Sequence, residues 1–403
     1  MTIELKKLFC LVFFVYNAFF IRVCLLTKQN LCTPSSARDK SIDDVPAIEK
    51  ALSMCGDGGT IVISAGETFM IRSPLDFSNC SACDFQIEGT LKVSDELSYW
   101  EGRTTFFLWR KLARVTVRSL TGSGVIDGSG QAYWDYIASN KTYRRPSLLY
   151  FSNISDIVFA NIQLKDAPNV FISVKDGSSN TKFSNLTLSA VSVSKNQPLN
   201  TDGFNIGDSS HITLSNVQIK NDDDCVAFQS GANYITVNNV TCIGSHGLSI
   251  GSLGLFAGHT YVVENIYVSD VQMINSSKAV GMKLYPGGSS HGLVFVSNIT
   301  FERVTVNNCG YAFQVQSCYF SNKTTCEKNP SNATLSNINL ADFTGTTSNT
   351  YDPDVANINC PANGTCDLTF ARWNIVAPSG KSIVLCGNYN HPSGVVCTPG
   401  AFG

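Results

Sequence analysis

Apolar positions in this chain recur in short alternating phrases. In His211-Ile212-Thr213-Leu214-Ser215-Asn216-Val217 the aliphatic side chains fall on one face of an extended strand and the polar ones on the other. Similar phrases of Val, Ile, Thr and Phe, punctuated by Gly, Asn and Asp, fill most of the chain after residue 59. Within them an Asn, or a substitute, precedes an aliphatic residue at Asn161, Asn185, Asn216, Asn239, Asp270, Arg303 and Asn337. The steps are 24, 31, 23, 31, 33 and 34 residues. Each step holds roughly three short strands and their turns. A repeat of this size without helices predicts an all-β fold, a single-stranded right-handed parallel β-helix. Aliphatic residues then stack inside, and each turn Asn bonds the Asn one coil away. A β-sandwich calls for Asn-Gly hairpin turns, which are sparse here. Propeller blades are longer, at about 40 residues or more.

Only Ser41 to Met54 reads as a helix. Asp43 or Asp44 can cap it, Pro46 suits its first turn, Val45, Ile48 and Leu52 share a face, and Cys55 to Gly59 stops it. It is expected to cover the open N-terminal coil, whose strand edges are otherwise unpaired. No linker interrupts residues 40–400, so residues 26–403 are expected to form one domain, because solenoids grow by stacking.

Lys6 and Lys7 precede an apolar stretch from Leu8 to Ile21. This predicts a signal peptide over residues 1–25, too short for a comfortable membrane span. The 15 Cys and ten Asn-x-Ser/Thr triplets fit an oxidising, glycosylating route. A secreted, extracellular monomer is expected, with no membrane contact after signal removal. Losing Cys10 and Cys24 leaves an odd number of Cys, and hence one unpaired thiol. Local spacing suggests Cys360–Cys366 and Cys386–Cys397 as pairs. A net charge of −2 gives no support to nucleic-acid binding.

Polar groups that break the coil pattern gather in one window. Asn200-Thr201-Asp202-Gly203 is followed, 21 residues on, by Asn221-Asp222-Asp223-Asp224-Cys225. Gly244-Ser245-His246-Gly247 follows 22 after that, and Lys283 one longer step on. Positions one coil apart stack at about 4.8 Å. Asp202, Asp223 or Asp224, His246 and Lys283 are therefore expected on one face. Stacked carboxylates repel unless one keeps a proton or a cation intervenes. Glycoside hydrolysis needs such a set, one protonated acid and one ionised base. Asp-rich turns also bind calcium, but neither His nor Lys serves that ion. No Gly-x-Ser-x-Gly elbow is present to support a Ser nucleophile.

At these residues the chain resembles the polygalacturonase family, glycoside hydrolase family 28. Asn200-Thr201-Asp202, Asp223-Asp224-Cys225 and Ser245-His246-Gly247 match its motifs in order and spacing. The phrase Gly244 to Gly254 is most similar to the secreted, exo-acting fungal branch. The resemblance implies a parallel β-helix that hydrolyses a pectic polysaccharide with inversion, without metal or other cofactor. It implies Asp223 as the general acid, with Asp202 and Asp224 holding and deprotonating water. It implies that His246 tunes the acid, that Lys283 grips a sugar carboxylate or hydroxyl, and that Cys225 pairs with Cys242. Asn200 of the first motif counts with the substrate-binding residues, as does Tyr285, since aromatic rings pack on sugar faces.

Two positions depart from the family pattern. Gly281-Met282-Lys283 stands where the family has Arg-Ile-Lys, so a bidentate clamp for a uronic carboxylate is missing. Either another Arg or Lys compensates, or the sugar there has no carboxylate, as in rhamnose. Asp222 replaces the usual Gly or Gln. It adds negative charge beside the acid, or is a solvated turn residue. The leading expectation is an exo-acting polygalacturonase-type hydrolase. An exo-acting rhamnosidase or galacturonosidase of rhamnogalacturonan is the alternative, and a non-catalytic pectin-binding β-helix the third.

Overall fold

The computed structural model describes residues 30–403, so the expected signal peptide lies outside the described residues. The chain winds as a right-handed parallel β-helix. One face is a twelve-stranded parallel sheet whose strands follow chain order from Leu75–Asp76 to Cys397–Pro399. Five of its strands carry the site: β1 (Ile172–Lys175), β2 (Phe204–Ile206), β3 (Val226–Phe228), β4 (Leu248–Leu253) and β5 (Lys278–Leu284). The remaining walls belong to a larger sheet of longer strands that bend around the core.

The bends explain the sequence repeat. Asn161, Asn185, Asn216, Asn239, Asp270, Arg303 and Asn337 all have φ between 52° and 60°. One left-handed residue turns a strand without ending its ladder, and Asn and Asp tolerate that region best among residues with a Cβ. The strand Ser209–Lys220 turns in this way at both His211 and Asn216. The expected Asn ladder forms: Asn239 donates to Asn216 at 2.8 Å, and Asn216 to Asn185 at 3.1 Å. Two coils on, Arg303 grips Asp270 with both ends of its guanidinium, at 2.7 and 3.0 Å. Asn337 corrects the predicted column. It donates to Asn298 at 3.2 Å, and Asp342 is the residue in register with Arg303. The reason is an insert between Gln316 and Thr334, carrying the short helix Lys323–Lys328, which lengthens that coil.

Inside, rings stack from coil to coil. Phe77, Trp109 and Phe151 lie face to face at 4.3 and 4.6 Å, and Phe183 and Phe204 continue edge-on. Phe204 follows Asp202 by two residues, so this column supports the strand that carries it. The cap helix α1 runs Val45–Cys55 and buries Val45, Ile48 and Leu52 as expected. It starts later than Ser41, and Asp44 caps it without a side-chain bond. The Asp44 carboxylate instead accepts from the Ala37 and Met70 amides, both at 2.7 Å, stitching the cap to the first coil. A helix absent from the sequence reading, α2 (Gly130–Ile137), buries Tyr133 and Trp134. Its Gln131 and Asp135 bind Ser194 and Asn196, in the loop leading to Asn200.

Cys225–Cys242, Cys360–Cys366 and Cys386–Cys397 are bonded as expected, joined by Cys32–Cys55, Cys80–Cys83 and Cys318–Cys326. Cys309 is the free, buried thiol among the described residues. No helix among them is long and apolar enough to cross a membrane.

The ladder makes a prediction for Asn216. Asn216→Ala loses two side-chain bonds and must hold a left-handed Cβ, at an expected cost of about 1–3 kcal/mol. Asn216→Gly relieves the second penalty and should cost less. Urea unfolding of both variants checks the order, and equal costs would place the whole effect in the hydrogen bonds.

Candidate active site

The register of β2 to β5 builds the site. Phe204 pairs with Val226, Val226 with Leu248 and Leu248 with Val280. Two residues before each of these stand Asp202, Asp224, His246 and Lys278, one column crossing four coils. Backbone bonds fix the column: Gly203 N–H donates to Asp224 O at 2.9 Å, and His246 N–H to Asp223 O at 2.7 Å. Asn221, buried inside the turn, donates to the carbonyls of Thr201, Asp223 and Asp224 at 2.8–3.1 Å. The Cys225–Cys242 disulfide pins the same coil from within.

The three carboxylates meet different surroundings. Asp224 is buried, and the Lys283 ammonium spans both its oxygens at 2.7 and 2.6 Å. Ser249 Oγ donates to one of them at 2.6 Å. Asp223 lies closer to solvent. Its Oδ1 is 3.2 Å from His246 Nδ1 and accepts the Asp224 amide at 2.8 Å, and its Oδ2 accepts from Asn200 at 3.2 Å. Burial pulls Asp223 up, but the hydrogen bond and charge of His246, the Lys283 charge and the Asp224 amide hold it below its ordinary value. Asp202 moves the other way. Burial, and then repulsion from Asp223 and Asp224, raises it well above the usual carboxylate range. Burial works against the Lys283 charge, but Asp224 wins and its ammonium is held above its ordinary value.

The predicted residues thus come together, with two adjustments. Lys283 is not in the column; it pairs with Gly251 near the far end of β5 and reaches back to Asp224. Asn200 faces Asp223 and is itself oriented by Arg145, whose Nη2 donates to Asn200 Oδ1 at 2.8 Å. Burial draws Arg145 down to about 10, offset in part by Asp223 and Asp202. Its partner lies 55 residues away in sequence, and no local motif marks it. Tyr285 stacks on His291 at 5.7 Å, while Tyr319 holds its ring 5.8 Å from Lys283 Nζ. Asp222 is half-buried and not a solvated turn residue: burial raises it, and its amide donates to Thr201 Oγ1.

The donor atoms of Asp223, Asp224 and His246 lie within 4.8 Å of one another, close enough to suggest a metal. The surroundings fit one poorly. Both Asp224 oxygens already face an ammonium, and a divalent ion there would meet that like charge at contact distance. The set is better suited to sharing a proton between carboxylates.

Comparison with known proteins places this geometry. The description "Glycosyl hydrolases family 28" fits residues 55–397. The chain belongs to glycosyl hydrolase family 28. The expected β-helix and the glycosidase reading therefore stand. A protein of Aspergillus flavus named "Probable endo-xylogalacturonan hydrolase A" is 52% identical over 372 residues, 92% of this chain and 91% of that one. The crystal structure of endo-xylogalacturonan hydrolase from Aspergillus tubingensis superposes with a TM-score of 0.91 at 51% identity, over 93% of this chain and 100% of that one. A polygalacturonase of Erwinia carotovora shares the fold at 19% identity, with a TM-score of 0.69 over 91% of this chain and 96% of that one. The fungal family-28 relatives are named as endo-acting. The exo-acting branch expected from Gly244 to Gly254 finds no support among these relatives.

Lys283 and Asp224 carry the prediction for this site. Lys283→Met leaves a buried carboxylate uncompensated and is expected to cost about 3–5 kcal/mol. Adding Asp224→Leu should recover most of that loss. A double-mutant cycle by urea unfolding reads the coupling, and additive effects would show that the pair does not act as a unit.

Proposed function

We propose that the chain is a secreted glycosidase that cuts within the galacturonan backbone of xylose-substituted pectin. Residues 1–25 are the signal peptide and 26–403 the single catalytic domain. The observation that carries the substrate is the likeness to the Aspergillus tubingensis structure across the whole length of that chain. Internal cleavage has further support in the topology. The acids sit midway along an outer sheet face, with four strands before β2 and six from β4 onward, so a polymer can continue on both sides. Secretion is supported by the basic-apolar N-terminus, the six disulfides and the ten glycosylation triplets.

Asp224, paired with the Lys283 ammonium, is the base that takes a proton from water. Asp202, in register one coil below, shares that water. Asp223 is the acid that protonates the leaving oxygen. It is the carboxyl nearer solvent, and its Oδ1 lies 3.2 Å from His246 Nδ1. Opposite-face attack by water gives inversion and needs no metal. Lys283 and Asn200 bind sugar oxygens around these groups, and Tyr285 and Tyr319 bound the cleft beyond Lys283.

Asp223→Asn is expected to lower kcat about 10²–10⁴-fold with the circular dichroism unchanged. Full activity in that variant removes Asp223 as the acid. Endo cleavage predicts a fall in xylogalacturonan viscosity well ahead of reducing-end release, and a proportional fall indicates attack from chain ends. The rate should be bell-shaped in pH, limited below by protonation of the base and above by loss of the acid's proton. His246 holds Asp223 down, so His246→Ala should raise the Asp223 pKa, move the alkaline limb to higher pH and lower kcat. An unmoved limb separates His246 from the acid.

A further inference from the structure

The space beside Gly281 is filled from the same strand. A Cβ built on Gly281 would stand 2.3 Å from Lys278 Cε and 2.6 Å from Cδ. The aliphatic arm of Lys278 therefore lies across the glycine, and a side chain at 281 would have to push that arm aside. Lys278 is only 6% exposed and makes no hydrogen bond or ion pair with any described residue. Its ammonium is repelled by Lys283 and attracted by Asp224 and Asp223, which places it in the field of the catalytic cluster. A buried ammonium without a counter-charge is costly, and burial brings this one down to about 8. The arrangement becomes favourable when an anion arrives with the substrate.

We propose that Lys278 is a substrate-binding residue that grips a galacturonate carboxylate beside the scissile bond, where Gly281 supplies no guanidinium. The inference rests on the galacturonan reading above. It gives Gly281 a positive purpose, since the glycine opens the path for a cation rooted three residues earlier. It also removes the main argument for a carboxylate-free sugar in that subsite. Lys278 stands in register with His246, two coils beyond the acid, whereas Lys283 is paired with Asp224. The two lysines thus divide the work: Lys283, with two of its donors on the base, keeps one for a sugar oxygen, and Lys278 has its whole charge free for a carboxylate.

The test compares xylogalacturonan with the same polymer after carboxyl reduction. Lys278→Met should raise KM about 10–100-fold on the acid form, with kcat within a few-fold. KM on the reduced form should be unchanged. Removing an unpaired buried charge should leave thermal unfolding intact, which is measured alongside. Gly281→Arg in the Lys278→Met background should recover part of the acid-form KM. Equal losses on both polymers, or no loss on either, overturn the proposal. If the wild type cleaves neither xylogalacturonan nor homogalacturonan, the substrate reading fails by itself. Lys278 is then judged by equilibrium binding of galacturonate against galactose. A preference for galacturonate that Lys278→Met abolishes supports it, and equal preference in both proteins overturns it.

Discussion

A parallel ladder sets residues at the same place in successive coils about 4.8 Å apart and repeats that spacing for as long as the coils continue. Every notable feature of this molecule is one column of that lattice. The interior column is aromatic from Phe77 to Phe204. A corner column is Asn185, Asn216 and Asn239, closed by amide-to-amide bonds. The column proposed to carry the chemistry and bind the substrate is Asp202, Asp224, His246 and Lys278. Apolar and amide stacks gain from such proximity, but a carboxylate stack does not. The fold therefore creates an electrostatic problem at the place where the chemistry is done.

The solution is to give three like side chains three environments. An ammonium and a hydroxyl both bind Asp224. An imidazole and an amide draw Asp223 down, and burial raises Asp202. Repulsion among them then favours one retained proton over three full charges. Hydrolysis by an acid and a base needs one retained proton, which the resting cluster keeps on Asp202; Asp223, drawn down at rest, takes up a proton before it acts as the acid. Specificity is laid over the same lattice: a glycine at 281 decides which cation of β5 reaches the sugar.

Much of this was legible in the sequence because the lattice is periodic. The Asn-aliphatic phrases mark left-handed corners, and the motif spacings are coil lengths, so the fold and the cluster of Asp202, Asp223, Asp224, His246 and Lys283 could be read together. What could not be read lies where the period breaks. The insert before Thr334 shifted Asn337 to another column and brought in Tyr319. The coil from His246 is longer than those before it, so Lys278 falls in the row and Lys283 lands opposite Gly251. Arg145 acts on Asn200 across 55 residues, and only the folded coil reveals that contact. Internal or terminal cleavage is not written in the repeat, and there the proposal leans on the names of the relatives.

The central claim is that three stacked carboxylates are divided by their surroundings, with the shared proton kept on Asp202. Carbon-13 NMR of the aspartate carboxyls across acidic pH, with each signal assigned by its Asn variant, measures this directly. The account predicts that Asp202 titrates above the ordinary aspartate range and Asp223 below it. The opposite order, or three ordinary titrations, would contradict it.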